Sequence, residues 1–553
     1  MRNRLLFAFA IFGLLTLPAI ALAQQAPDHL RAAQLAAIET GKADWGYWGT
    51  NPEKYTGWTN HSNRLIPVYL FGGTLDALQG SRSLYRDPER LAQIYGEVPD
   101  GTRNPTADYF DQTELFQLQK AAVQAGKKYV FVVIFDGMDW QTTQAAATYN
   151  TQKLVYTRGR GTGLSFLDYA GAPTDYGYYV TSARFGDAKP DVDRQVFREQ
   201  PGRNLGGYSA QFGGTAPWSV PASPQYLLGS YPEMKHIVTD SASSATSIFS
   251  GIKTYNSAIN VDIKGAQVEP IARTLQKDGF LVGVVTSVPF CHATPAAAYA
   301  NNLDRDDYQD LGRDLLGLPS VSHPEGLSGA DVVIGCGWGE LKPDDREKQG
   351  TDYLPGNKFL ADEDLKRIDL EHGGKYAVAQ RTKGQAGRAV LNQAADMAVQ
   401  KNARLFGFFG ITGGHLPYRT ADGLYDPTRG EKYCDKYTPE DVAENPTLAE
   451  MTRSALHVLG HRQAEGDHKG FWLMVEPGDV DWANHNNNID DSIGAVLSGD
   501  AAFREIVSWI EERNCWDDSL VIVTADHGHF FNLTRPEILI APKAEQPQPV
   551  GDK

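Results

Sequence analysis

Four cysteines in 553 residues, none at zinc-finger spacing, are too few for a scaffold built on disulfides. Cys291, Cys336, Cys434 and Cys515 leave room for one or two disulfides in an oxidising compartment, with no pairing legible. Positive charge is also in short supply. The formal net charge of −16 excludes nucleic acid and anionic lipid as expected partners, because either needs a basic face. A small anionic substrate is still allowed where cations gather locally. After the N-terminus no run approaches the roughly 20 apolar residues of a membrane-spanning helix. No Ser/Gly linker, charge block or internal repeat divides the chain.

The N-terminus itself has a recognisable pattern. Arg2 and Arg4 precede an apolar run from Leu5 to about Leu17 and the small-residue site Ala21-Leu22-Ala23, so residues 1–23 are expected to be a cleaved secretory signal. The mature chain is then periplasmic or secreted. No cysteine follows the small residues, and the polar end from Pro547 through Pro549 to Lys553 has no hydrophobic tail, so no membrane anchor is expected. Residues 24–553 read as a single α/β domain, with an elaborated Gly-, Pro- and charge-rich insertion at about 311–445.

Four apolar runs, Val130 to Phe135, Leu281 to Val285, Phe471 to Val475 and Leu520 to Val523, do not alternate with polar residues and are mostly rich in β-branched side chains. They predict strands buried on both faces of a largely parallel sheet. Stretches such as Gln385 to Asn402 and Ala501 to Arg513 have helical spacing and would cover its faces. The residues just past each strand are more telling. Asp136 comes after the first, His292 and Thr294 after the second, Glu476 after the third and Asp526-His527 after the fourth. Ligand sites of open α/β sheets lie beyond the carboxyl ends of the strands.

Glu476-Pro-Gly-Asp-Val-Asp481-Trp-Ala-Asn-His485 then adds a carboxylate and an imidazole four residues apart. On a helix that spacing puts both on one face, where they can hold one ion. Oxygen and nitrogen ligands without cysteine suit zinc where histidine takes part and magnesium where only oxygen does. Taken singly, a post-strand Asp is more often a cap or turn former. Together at strand ends the groups point to a metal cluster. Asp240-Ser241 opens a small-residue run that is compatible with a helix, whose N-terminal N–H groups favour a phosphate near Ser241. The plainer reading is that both residues only cap that helix. A serine hydroxyl is a poor nucleophile unless a base or metal activates it, and no Gly-x-Ser-x-Gly elbow surrounds Ser241, which favours metal activation.

Five segments in order resemble the motif set of the alkaline phosphatase family: Phe135-Asp136-Gly-Met138; Thr239-Asp-Ser241-Ala242 with Gly251-Ile-Lys-Thr-Tyr-Asn256; His292-Ala-Thr294-Pro295; Glu476 to His485; and Thr524-Ala-Asp526-His527-Gly-His529. The resemblance implies that Ser241 is phosphorylated in turnover and that Asp136, Asp526 and His527 hold the zinc that activates it. Asp481 and His485 would serve a second zinc, and Asp136, Thr294 and Glu476 a third site, usually magnesium. Arg305 matches the family's phosphate-clamping arginine; its bland alternative is a salt bridge with Asp304 or Asp306.

The sequence departs from that pattern in two places. The family normally supplies a third histidine to the second zinc from a late segment followed by an apolar strand, whereas only a short polar tail follows His529. Trp58-Thr-Asn-His61-Ser-Asn-Arg-Leu-Ile-Pro-Val-Tyr-Leu-Phe-Gly72 resembles that late segment. A circular permutation with His61 as the third ligand is the expectation, and His529 or water is the alternative. His292 and Trp482 stand where some members have aspartate and lysine, so zinc or cobalt is also allowed in the third site, with His292 tuning that ion through water. The expected reaction is hydrolysis of phosphate monoesters of small metabolites. Family members are commonly homodimers, but the sequence carries no interface signature. A sulfatase would need a Cys/Ser-x-Pro-x-Arg motif that the Ser241 segment lacks, and a non-catalytic phosphate binder would form no phosphoserine.

Overall fold

The computed structural model describes residues 28–203, 206–229, 236–340 and 348–542. The expected secretory signal and the polar C-terminal end lie outside the described residues. The framework is a ten-stranded mixed sheet. Its strands are, in chain order, β1 (Ile66–Phe71), β2 (Phe110–Asp111), β3 (Tyr129–Ile134), β4 (Thr174–Val180), β5 (Phe280–Pro289), β6 (Val332–Cys336), β7 (Tyr376–Gln380), β8 (Arg404–Phe408), β9 (Gly470–Glu476) and β10 (Ser519–Thr524). Across the sheet the order is β7-β8-β6-β5-β9-β3-β10-β1-β4-β2. From β7 to β10 all neighbours run parallel, whereas β1 lies antiparallel to both β10 and β4.

The four apolar runs are β3, β5, β9 and β10, which stand side by side at the centre. Every residue of β5, β9 and β10 is buried, the two-faced burial that a continuous Val/Ile/Leu pattern requires. Helices α3 (Gly387–Lys401), α4 (Leu448–Glu465) and α6 (Ile489–Glu512) pack around the sheet; α3 lies within the first stretch with helical spacing, and α6 covers the second through Glu512. α4 opens with a capping box, Thr447 accepting from Glu450 N while the Glu450 carboxylate accepts from Thr447 N.

Residues 311–445, expected as an insertion, contain β6, β7 and β8 and so form one flank of the sheet. Much of this stretch is therefore framework rather than an addition around the site. Each of these strands has only five residues, and Gly335 and Gly407 interrupt the apolar pattern of two of them, so they left a weak signal. The disulfides allowed by sequence do not form. Cys291 and Cys336 are buried, Cys434 is exposed, Cys515 is half-buried, and all four are free. Among the described residues no helix is long and apolar enough to cross a membrane.

The segment leading into β1 is fastened to the segment leaving β10. Ser62 N donates to Gly528 O at 2.6 Å. Arg64 lies with its guanidinium 3.8 Å over the Phe530 ring, donates to Phe531 O (2.8 Å) and Asn532 Oδ1 (2.9 Å), and pairs with Asp139 Oδ2 at 3.3 Å. The Arg64 and Asp139 side chains are only 6% and 1% exposed, so neither charge has water to replace its partner. Arg64→Leu is therefore expected to cost about 3 kcal/mol of stability by stranding the Asp139 carboxylate. Urea denaturation measures this, and an unchanged midpoint would contradict the role given to the pair.

Candidate active site

The side chains singled out by sequence arrive from separate elements. Asp136 lies two residues past β3, Glu476 is the last residue of β9, and Asp526-His527 follow β10. Asp481 and His485 sit on one face of the short helix α5 (Asp479–His485). Ser241 is the first residue of α2 (Ser241–Ser250), all of whose residues are buried. That burial explains its Ala/Ser/Thr composition, since only small side chains fit between tightly packed layers.

Two groups of potential metal ligands result, one of Asp136, Asp526 and His527, the other of His61, Asp481, His485 and His529; within each the ligating atoms lie within 4.8 Å of one another. The Ser241 hydroxyl borders the first group, 3.2 Å from His527 Nε2 and 3.5 Å from Asp136 Oδ1. The His61 and His527 rings stack with centroids 3.7 Å apart, so the groups adjoin.

The second group has a tautomeric logic. His61 Nδ1 lies 2.8 Å from Thr239 O, and His485 Nδ1 lies 2.6 Å from Thr59 O. A carbonyl only accepts, so each Nδ1 carries the proton and each Nε2 presents a lone pair. Those two Nε2 atoms face one another at 3.0 Å. Asp481 Oδ1 lies 3.5 Å from His61 Nε2, 3.4 Å from His485 Nε2 and 2.6 Å from His529 Nε2. Lone pairs and a carboxylate aimed at one spot repel unless a cation lies among them. Burial opposes ionisation of Asp481, yet its carboxyl lies well below the usual carboxylate range, with the His529 hydrogen bond among the causes. Burial lowers the proton affinity of His61, with His527 adding to it, and that of His529.

Around the first group the carboxylates crowd each other. Burial, then Asp481 and Glu476, raise the pKa of Asp136; burial and Asp136 raise that of Asp526. Burial pushes Glu476 up to about 8 although Thr286 hydrogen-bonds its Oε2. Asp136 Oδ2, Asp526 Oδ2, Glu476 Oε1 and Thr294 Oγ1 are buried without a hydrogen-bond partner among the described residues. Orphaned oxygens in such number are foreign to a folded core. They are a donor set for hard or borderline cations.

Arg305 does not pair with its sequence neighbours. Its Nη1 bonds Asp240 Oδ2 at 3.0 Å, and its Nη2 lies 3.2 Å from His292 Nε2. Asp240 also caps α2 through Oδ1, which accepts from Ser243 N at 2.9 Å. The residue before Ser241 thus fixes both the helix end and the guanidinium, and Arg305 with Ser243 keeps its pKa low although burial opposes this. His292 contacts Arg305 directly and packs edge-on against Trp482; burial, reinforced by Arg305, lowers its pKa to about 3. Sequence reasoning read Asp240 as a cap but missed its pairing with Arg305, and treated His529 only as an alternative to His61. The Asp-His-Gly-His spacing held that signal, because residues two apart on extended backbone face the same way.

A central parallel sheet with carboxylates and imidazoles at its strand ends, beside a serine at a helix N-terminus, defines a candidate metal centre. A family model described as Alkaline phosphatase matches residues 224–544. The chain belongs to the alkaline phosphatase family. That match contains Ser241, Thr294, Arg305, Glu476, Asp481, His485, Asp526 and His527, while His61 and Asp136 precede it. The chain is 27% identical to alkaline phosphatase 3 of Bacillus subtilis (strain 168), over 56% of this chain and 54% of that protein. To alkaline phosphatase H of Pseudomonas aeruginosa (strain UCBPP-PA14) it is 29% identical, over 64% of this chain and 70% of that protein. For several curated relatives it matches, the chain spans about half of their length. The solved cold-active alkaline phosphatase of a psychrophilic Shewanella aligns at a TM-score of 0.42 and 20% identity, covering 72% of this chain and 68% of that one.

Gly137 couples the two groups of potential ligands. Its N–H donates to Asp526 Oδ1 at 3.0 Å, its φ is +71°, and a Cβ there would lie 2.7 Å from the His529 ring. Gly137→Ala should therefore cost more than about 1 kcal/mol and push His529 off Asp481. Thermal denaturation and a crystal structure of the variant test this; unchanged stability with His529 in place would refute it.

Proposed function

We propose that the chain hydrolyses phosphate monoesters to an alcohol and inorganic phosphate, with Ser241 as the nucleophile. The observation that carries the reading is the meeting of the His61 and His485 Nε2 lone pairs and the orphaned carboxylate oxygens next to the Ser241 hydroxyl. Asp136, Asp526 and His527 would hold one zinc, and Asp481, His485 and His61 a second. Asp136, Thr294 and Glu476 would hold magnesium, with zinc or cobalt as substitutes. Bound there, these cations supply Lewis acidity that lowers the proton affinity of hydroxyl groups and offsets charge on phosphoryl oxygens.

The protein groups do the rest. Ser241 loses its hydroxyl proton to solvent and its Oγ attacks phosphorus in line, the P–O bond to Ser241 forms as that to the ester oxygen breaks, the departing oxygen takes up a proton to leave as the alcohol, and water then cleaves the phosphoserine to give phosphate and the Ser241 hydroxyl. Two displacements give net retention at phosphorus. The free N–H groups at the start of α2 and the Arg305 fork take the nonbridging oxygens. Asp240 and His292 hold that fork in register. His529, hydrogen-bonded to Asp481, orients the carboxylate.

His61 as a ligand implies that the segment from Trp58 to Gly72 replaces the family's late histidine segment by circular permutation. In favour stand the antiparallel pairing of β1 with β10 and the place of His61 beside Asp481. The N-terminal pattern supports export to the periplasm or medium, where small phosphorylated metabolites are the expected substrates.

Ser241→Ala should lower hydrolysis of a generic aryl phosphate by on the order of a thousandfold while the variant stays folded. A chelator should abolish wild-type activity, and zinc or magnesium should restore it. Full activity in either test would remove the proposal. His61→Ala should lose zinc and activity together, and metal analysis showing unchanged stoichiometry would remove the permutation while leaving the hydrolytic reading intact.

A further inference from the structure

Exposure is uneven within the second group of potential ligands. The His485 side chain is 30% exposed, against 8% for His61, 5% for Asp481 and 1% for His529. Solvent therefore reaches this group past His485. Ser241 borders the other group, so in an in-line displacement the ester oxygen departs on the side away from Ser241, toward Asp481 and His485. The alcohol portion of a bound ester then extends outward beside His485, and the residues standing there select it.

A turn from a distant part of the chain is clamped to that spot. Asn486, the C-cap of α5, directly follows His485. Its backbone O accepts from Glu431 N at 2.7 Å, and its Oδ1 accepts from Lys432 N at 2.8 Å and Tyr433 N at 3.2 Å. Its Nδ2 donates to Tyr433 O at 3.1 Å. Gly430 N closes the turn by donating to the same carbonyl at 3.1 Å. A Cβ at Gly430 would lie 2.4 Å from both Asn486 Nδ2 and Asn486 O, so this approach needs glycine. Asn486 is only 2% exposed, and its amide serves the clamp rather than water.

The clamp presents an aromatic ring to solvent. Among the described residues, Tyr433 is the one exposed Phe, Tyr or Trp, at 40%. Such a ring has apolar surface that contact with a flat ligand would remove from water. The Tyr433 hydroxyl donates to Trp482 O at 3.4 Å. Trp482 is half-buried on α5, and its indole packs edge-on against His292 at 5.6 Å and His415 at 5.3 Å. The aromatic rim thus continues from the opening beside His485 to the histidine that contacts Arg305.

We propose that Tyr433 is a specificity-determining residue, selecting phosphate monoesters whose alcohol portion is a planar aromatic group that stacks on its ring beside Trp482. The proposal rests on the hydrolytic reading above and names the substrate class of that same site. With both its N–H and its C=O bonded to Asn486, Tyr433 is held in place before substrate arrives, so stacking costs little ordering.

The test compares kcat/KM for 2-naphthyl phosphate and phenyl phosphate, aryl esters whose alcohols are of similar acidity but differ in ring area. Wild type should favour the naphthyl ester. Tyr433→Ser should reduce that preference about three- to tenfold, the worth of one aromatic contact. Tyr433→Phe should keep it. Both changes fall at an exposed side chain, and circular dichroism checks that the variants fold. A wild type without the preference, an undiminished preference in Tyr433→Ser, or its loss in Tyr433→Phe overturns the proposal and leaves the hydrolytic reading intact. A wild type that hydrolyses neither ester in the presence of zinc and magnesium overturns that reading and this proposal with it.

Discussion

The mutual repulsion of buried carboxylates governs this structure. Asp136, Glu476, Asp481 and Asp526 are each at most 4% exposed and gather where the carboxyl ends of β3, β9 and β10 meet α5. Unpaired charge in such a place costs several kcal/mol per group, and the upward pKa shifts of Asp136, Glu476 and Asp526 express that cost. Protons would relieve it by removing the charge. Divalent cations would relieve it while keeping the charge, and the histidine geometry favours them. With Nδ1 of both His61 and His485 bound to carbonyls, the facing Nε2 lone pairs have no proton to share between them.

Keeping such groups together demands a rigid frame, and the central strands provide it. β5, β9, β3 and β10 are hydrogen-bonded in register and buried in a continuous apolar core. Side chains at their carboxyl ends therefore have little freedom to move apart. The N-terminal segment is fixed to the same frame by the Arg64 contacts and by β1, which places His61 although it is more than four hundred residues from Asp481 in sequence. Asp240 performs a comparable double task beside Ser241, capping α2 and anchoring Arg305.

The central strands and the candidate ligands beyond them were legible because each carries an apolar run with an acid or histidine directly after it or a few residues further on. Asp481 and His485 were legible from their helical spacing, and Ser241 from the cap-like Asp240 before a run of small residues. Contacts that bring distant segments together were less so. The Asp240–Arg305 pair joins positions 65 residues apart, and no local pattern marks it. His529 was undervalued because its only local clue is a two-residue spacing. The flank formed by β6, β7 and β8 went unread because five-residue strands containing glycine resemble loops when taken alone.

Native mass spectrometry of the intact chain, purified without chelator, tests the central claim most directly. The chain should carry bound divalent metal, and Asp136→Asn combined with Asp526→Asn, which removes two of the buried charges, should carry less. A wild-type chain that flies metal-free and still hydrolyses an aryl phosphate would contradict the account.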